Sequence, residues 1–319
     1  MFLRPTAVVC GGARALSTMR AAAALPRDLF ADRSVFITGG GSGINLGIAV
    51  AFAELGATVG ICGRSADRLE GAKQVLIEAA ATSSAGATDA AARVVTAVAD
   101  VRDFEALEAA LAKTRDAGGR PISTLVAGAA GNFMAPAHKI SSNGFRTVID
   151  IDLQGAFNAS RAAFEQLSES GSGAAGGSSI IFVGAGQAFQ PFAMQVHVGA
   201  AKAGIDSMMG NLALEWGRFG IRSNTVCPGP IAGTEGMERL GPPPGHPLYE
   251  KLLRTIPAGR YGEKDEVANA AVFLASPMAS YITGTVLRVD GGQNLPGTGN
   301  FTDIMGQYMG EQAAAAKKE

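Results

Sequence analysis

One junction constrains this chain more than any other. The apolar run Ser34-Val35-Phe36-Ile37-Thr38 passes directly into Gly39-Gly40-Gly41-Ser42-Gly43-Ile44, and an apolar pattern of helical spacing, Ile48 to Leu55, follows and stops at Gly56. Strand, glycine turn and helix in that order leave the first N–H groups of a helix, and the positive end of its dipole, facing the carboxyl end of a strand. That is a cradle for a phosphate anion. The alternation then continues. Thr58 to Cys62 predicts a strand, Asp67 to Ala79 a helix and Arg93 to Ala99 a third strand, with a surface insertion of low complexity over residues 80–92. Ser123 to Val126, Ser179 to Val183, Ile221 to Val226 and Thr285 to Val289 supply four more strands. Helical patterns occupy Gly144 to Leu167, Gly199 to Phe219 and Asp265 to Leu274 between them. Seven strands interleaved with helices predict one α/β domain over residues 34–293, a doubly wound parallel sheet with its ligand at the carboxyl ends of the strands.

Composition agrees with a single packed domain. Of 319 residues, 47% are hydrophobic and 17% charged, and no Pro-rich or charged linker divides the pattern. A net charge of -1 gives no electrostatic footprint for nucleic acid. Three cysteines make neither a disulfide framework nor a metal spacing, which fits a reducing compartment, and His138, His197 and His246 lie too far apart to form a metal motif. Residues 1–33 differ from the rest. Arg4, Arg14, Arg20 and Arg27 are interleaved with small apolar residues, with no acid before Asp28. This resembles a transit peptide, processed near Leu16, and predicts the mitochondrial matrix, with the peroxisome as the alternative. The segment is too short and too interrupted by arginine to span a membrane. Residues 294–319 read as a C-terminal tail whose last stretch, Ala313 to Glu319, is polar and does not end in a peroxisomal tripeptide.

The turn Thr38-Gly39-Gly40-Gly41-Ser42-Gly43-Ile44 resembles the glycine motif of the short-chain dehydrogenase/reductase family, Thr-Gly-x-x-x-Gly-x-Gly, with Asn45 in place of its last glycine. The implied fold is a Rossmann domain holding a dinucleotide pyrophosphate on Gly39, Gly40, Gly41, Ser42, Gly43 and Ile44. Proteins of this fold that take NAD usually carry an acid at the end of the second strand. Here that strand ends Cys62-Gly63-Arg64-Ser65. Arg64, with Ser65 and Arg68, suits a 2′-phosphate, so the expected cofactor is NADPH. Asp100 and Val101 resemble the pair that contacts adenine in the family.

The second motif of the family is incomplete. Most members carry Tyr-x-x-x-Lys on the helix after the fifth strand and a serine before it; here Lys202 is present, but Val198 occupies the tyrosine position and Gly184-Ala185-Gly186 the serine position. Without either hydroxyl, ordinary carbonyl reduction loses its acid. Reduction of a conjugated C=C does not need that tyrosine. Gly131-Asn132-Phe133, Asp150-Ile151-Asp152, Gln195-Val196-His197 and the run Pro228-Gly229-Pro230-Ile231 through Thr234 resemble the 2,4-dienoyl-CoA reductases of β-oxidation, especially the peroxisomal branch.

The resemblance implies that Asp152 acts on the proton through water and, beside a lysine, stays ionised. It implies that Lys202 holds the nicotinamide ribose and that Asn132 donates to the thioester oxygen. Pro228, Gly229, Pro230, Ile231 and Thr234 would border the nicotinamide, and Arg102, Phe133, Ser141, Asn143 and Arg239, with Asn132, the acyl-CoA. His197 reads as structural. A homotetramer is implied as well. Two alternatives stay open: a trans-2-enoyl-CoA reductase of the same family, and a catalytically silent NADPH-binding protein.

Overall fold

The computed structural model describes residues 24–84, 89–173, 176–240, 242 and 245–295, excluding the side chains of Arg239, Leu240 and Pro247. The putting-together of the sheet follows the predicted alternation. Strands β1 (Ser34–Thr38), β2 (Thr58–Gly63), β3 (Val94–Val98), β4 (Ile122–Ala127), β5 (Ser178–Val183), β6 (Ile221–Pro228) and β7 (Val286–Val289) form one sheet in the order β3-β2-β1-β4-β5-β6-β7. All six pairings are parallel. The chain winds outward from β1 in one direction and from β4 in the other, so the switch point lies between these two strands.

Alternate residues of each strand feed two cores. Val35 and Ile37 point to one face with α1 (Gly43–Glu54), α2 (Ala66–Ala81) and α9 (Lys264–Ala275); Phe36 points to the other with α3 (Phe104–Gly118), α5 (Gly155–Gly171) and α6 (Val196–Trp216). Ile181 against Ile180 and Phe182 repeats the division on β5. The packed domain begins upstream of Ser34, because Phe30 is fully buried with its ring 5.0 Å from that of Phe52. The remainder of the transit-like segment through Ala23, and the tail from residue 296, lie outside the described residues.

Three helices were not anticipated. Helix α3 is capped by Asp103, whose carboxylate accepts the Ala106 N–H, and ends at Gly119 in the left-handed region with φ 61°. The short helices α7 (Glu235–Leu240) and α8 (Pro247–Leu253) follow β6. The long helix expected over residues 144–167 is broken into three pieces: α4 (Ser142–Ile149), a π-helical turn over Asp150–Gln154, and α5. An apolar period cannot distinguish a continuous helix from one carrying a single wider turn. Such turns recur at functional sites.

Candidate active site

The first half of the site is made of backbone. Gly39 and Gly43 have φ of 68° and 61°, and a Cβ on Gly40 would lie 2.6 Å from the Ile61 side chain on β2. The turn therefore requires glycine for two separate reasons, conformation and clearance. Helix α1 opens at Ser42 with no acid in its first turn, leaving its N-terminus free to face an anion. Thr38 is buried, and its hydroxyl accepts the N–H groups of Gly128 and Ala129 at 3.0 and 3.1 Å, fixing the ends of β1 and β4 together across the switch point.

Asn45, the departure from the glycine motif, has a structural answer. Its Nδ2 donates to the carbonyls of Gly128 at 2.8 Å and Gly39 at 3.4 Å. Close helix–strand approach is retained because Gly128 supplies the missing space; a Cβ there would lie 2.2 Å from Asn45 Oδ1.

Around this turn the predicted cofactor residues divide. Arg64 stands exposed at the end of β2 and acts electrostatically on Asp100. Ser65 caps α2, its hydroxyl accepting the Arg68 N–H, while the Arg68 guanidinium pairs with Glu235 at 3.1 Å. Asp100 and Arg102 are joined by two side-chain hydrogen bonds of 3.0 and 2.7 Å. The Arg102 partner holds the Asp100 carboxyl below the usual carboxylate range. Any CoA phosphate taken by Arg102 must share it with that carboxylate. Val101 is buried beneath the site, and its carbonyl accepts from Asn158 on α5.

On the far side, Pro228 ends β6 and Gly229 passes so near Asp290 that a Cβ would lie 2.7 Å from its Cα. Pro230 accepts the Gly262 N–H, Ile231 is buried, and the Thr234 hydroxyl donates to the Ile231 carbonyl at 2.8 Å. These contacts fix the segment as one wall of the site. The Arg239 side chain lies outside the described residues.

The second half of the site is made of buried charge. The π turn delivers Asp152, 1% exposed, to a point where Oδ1 accepts the Gly131 N–H at 2.6 Å and Oδ2 lies 3.5 Å from Lys202 Nζ. Lys202 also donates to the Val183 carbonyl at 2.9 Å, so the ammonium is fixed between β5 and the carboxylate. Burial raises the Asp152 carboxyl above its ordinary value despite Lys202 and the Gly131 N–H, which act the other way. Burial and Lys202 thus act on this carboxyl in opposite senses. Oδ2 has no hydrogen-bond partner among the described residues.

Asp206, one turn beyond Lys202 on α6, was missed by the sequence reading. Burial raises its carboxyl also, against the Thr225 hydroxyl and Lys202. Its four-residue spacing from Lys202 was the available signal.

Val198 is buried with Val148 and Ala201, so the position of the family's tyrosine is part of an apolar cluster. Asn132 is exposed on the loop after β4, beside the Gly131 N–H that binds Asp152. Phe133 packs on His197 with ring centroids 4.2 Å apart. It also approaches the start of α4, where Ser141 caps the helix and Asn143 accepts from Arg146. Facing that loop, Met194 is the single non-glycine residue with positive φ among those described, at 67°, and its carbonyl accepts the Ala135 N–H. Phe133, Met134, Phe189, Phe192 and Met194 are each more than a third exposed and give the site an apolar mouth. The buried Cys62 and Cys227 thiols are pushed up to about 12, chiefly by burial, and stay protonated.

A dinucleotide turn at the switch point, joined to a buried lysine on the helix after β5, defines a class of nicotinamide oxidoreductase. The chain belongs to the short-chain dehydrogenase/reductase family, within its group of 2,4-dienoyl-CoA reductases. The family model described as enoyl-(acyl carrier protein) reductase matches residues 39–294. Among curated relatives, the peroxisomal (3E)-enoyl-CoA-producing 2,4-dienoyl-CoA reductase of Saccharomyces cerevisiae is 43% identical over 265 residues, covering 83% of this chain and 85% of its own. That of Danio rerio is 39% identical over 279 residues, covering 88% and 87%. A short-chain dehydrogenase from Bacillus anthracis superposes with TM-score 0.70 at 35% identity, over 84% of this chain and 98% of its own. A gluconate 5-dehydrogenase from Burkholderia cenocepacia, solved with NADP and tartrate, gives 0.69 at 27% identity, over 82% and 94%.

Proposed function

We propose that the protein reduces 2,4-dienoyl-CoA to 3-enoyl-CoA with NADPH. The observation that carries this reading is the exchange at the centre of the site: where the family's tyrosine would stand there is buried Val198, and the group able to hold a proton is the buried carboxyl of Asp152 against Lys202. The relatives of known activity in this group support the substrate class, and the gluconate dehydrogenase solved with NADP supports the cofactor.

The residues present fit the cofactor. Gly39, Gly40, Gly41, Ser42, Gly43 and Ile44 would hold the pyrophosphate, Arg64 with Ser65 and Arg68 the 2′-phosphate, Asp100 and Val101 the adenine. Lys202 would hold the nicotinamide ribose against the wall of Pro228, Gly229, Pro230, Ile231 and Thr234. When bound, NADPH supplies a hydride to the δ-carbon of the dienoyl group. This chain's own residues manage the charge and the proton. The Asn132 amide donates to the thioester oxygen as negative charge develops there. Asp152, its carboxyl raised by burial, orients a water that delivers the proton to the α-carbon, which leaves the double bond between C3 and C4. Phe133, Ser141 and Asn143 would line the acyl-CoA side, with the charges of Arg102 and Arg239 suited to its phosphates.

The test is a paired assay of 2,4-hexadienoyl-CoA and 2-hexenoyl-CoA with NADPH and with NADH. Oxidation of NADPH with the dienoyl substrate is expected. Preference for 2-hexenoyl-CoA would instead favour an enoyl reductase, the description carried by the matching family model, and binding without turnover would leave a silent NADPH-binding protein.

A homotetramer is part of the proposal, supported by exposed Phe157 on α5 and Leu214 on α6. Light scattering of the purified chain checks it. For the compartment, the relatives are peroxisomal by name, whereas the acid-free, arginine-bearing first 27 residues support the mitochondrial matrix. The matrix is our reading, and peroxisomal fluorescence of a full-length fusion overturns it. Among the described residues no helix is long and apolar enough to cross a membrane, and no group of His, Cys, Asp and Glu could hold a metal.

A further inference from the structure

Lys264 has no part in that scheme, although the fold sets it against the glycine turn. It is the first residue of α9, half-buried, with Glu263 as the cap before it. A cation in the first turn opposes the dipole of its own helix, so α9 does not account for it. Two glycines make room for its side chain. A Cβ on Gly47 would lie 3.0 Å from the Lys264 Cβ, and a Cβ on Gly233 would lie 3.7 Å from its Nζ. Gly47 stands one helical turn below Gly43 on the same face of α1, so the stem of the lysine begins just beneath the phosphate turn. Gly233, held at φ 62°, precedes Thr234 in the segment that would border the nicotinamide. The ammonium thus stands between the two elements that would flank the pyrophosphate, at a position where neither glycine has a side chain to cover it.

The other cations of the cleft make the point by contrast. Lys202 faces Asp152 at 3.5 Å and Arg68 faces Glu235 at 3.1 Å. Glu266, in the same turn as Lys264, accepts the Glu263 N–H at 2.8 Å and pairs with Arg260 at 2.7 Å. Among the described residues the Lys264 ammonium makes no hydrogen bond or ion pair. The turn itself offers a pyrophosphate only backbone N–H groups and a helix dipole, which carry partial charge. We propose that Lys264 is a further cofactor-binding residue, its ammonium set against the pyrophosphate from between α1 and Gly233. A lysine acts there as a mobile point charge on a long stem. The inference rests on the nicotinamide cofactor of the functional reading and deepens it, and it does not depend on the acyl substrate. Because the pyrophosphate is common to NADPH and NADH, Lys264 contributes to both alike, whereas Arg64 tells them apart.

Lys264→Gln, studied by calorimetric titration of the full chain without acyl substrate, separates these roles. Its Kd for NADPH and for NADH is expected to rise by one common factor of roughly tenfold, as for the loss of a charge-assisted contact, and to depend less steeply on salt. Adenosine 2′-monophosphate, which can reach Arg64 but has no pyrophosphate, is expected to bind as it does to the parent. The Tm without nucleotide should be unchanged or slightly higher, because a mismatched charge leaves the first turn of α9. Lys264→Arg should restore most of the affinity. Unchanged Kd values for both dinucleotides overturn the proposal. So does a rise confined to NADPH, which moves the lysine to the 2′-phosphate, and so does a lowered Tm with weaker binding of all three ligands, the mark of a merely structural lysine. A parent that binds both dinucleotides but reduces no dienoyl-CoA defeats the substrate reading and leaves this assignment standing; a parent that binds neither defeats the assignment.

Discussion

Asp100 and Asp152 each stand beside a basic side chain, and the fold uses them in opposite ways. Asp100, at the open end of β3, is a quarter exposed and gripped by two hydrogen bonds from Arg102, which hold its carboxyl low. Asp152 is sealed inside the π turn with Lys202 at 3.5 Å, and burial holds its carboxyl high. The identity of the neighbour does not decide the charge. Access to water does, since desolvation of a carboxylate can outweigh one cation that lacks good hydrogen-bond geometry. The nucleotide half of the site is therefore a region of fixed charge on accessible backbone, and the other half a region where a proton can reside.

The sharpest way to break this contrast is to neutralise each carboxylate in turn. Asp152→Asn is expected to lower kcat with 2,4-hexadienoyl-CoA by about 10²–10⁴-fold while NADPH binding, followed by nucleotide fluorescence, is retained. Asp100→Asn is expected to do the reverse, weakening NADPH with little change in kcat. Equal effects at the two positions would dissolve the distinction.

Next in size is Arg64→Ala. It removes a charge-assisted contact worth about 1.5–3 kcal/mol, so the ratio of NADPH to NADH affinity should fall by roughly tenfold to a hundredfold; an unchanged ratio moves 2′-phosphate recognition to another residue. Gly40→Ala forces a methyl group toward Ile61, and a loss of about 1–3 kcal/mol in stability is expected from overpacking, read as a lower Tm with poorer NADPH binding.

The smallest effect is in the pH dependence of stability. Asp152 and Asp206 hold their protons to higher pH in the fold than in the unfolded chain, so the native state binds more protons across that interval. Stability therefore falls as pH rises through their folded values. Asp100 and Glu266, lowered by Arg102 and Arg260, act in the opposite sense, and their contribution is lost as pH falls through theirs. Asp152→Asn should flatten the first dependence and leave the second, as measured by Tm across a pH series.

The same contrast explains what was legible in the sequence. The glycine turn, Arg64, the alternation of strands and helices and the absence of the family's tyrosine all depend on local backbone and on residue type, which a sequence displays. Lys202 and Asp152 emerged through resemblance. Burial did not: the desolvation that raises Asp152 and the placement of Lys264 against Gly47 and Gly233 arise from segments distant in the chain. Asn45 lies between these cases. Its position was conspicuous, but its hydrogen bond to Gly128 spans 83 residues and needed the fold.

The π turn at Asp150–Gln154 also carries a consequence for insertions and deletions. A regular helix advances by about 100° per residue, so a wider turn holds one residue more than the axis requires. Removing one residue between Ile149 and Gly155 would let α4 and α5 fuse into an unbroken rod, at little cost to either apolar face. Asp152 would then be carried round the axis, away from Gly131 and Lys202. A single-codon deletion here should leave a soluble, well-folded, nucleotide-competent protein whose chemistry has been switched off by phase rather than by chemistry.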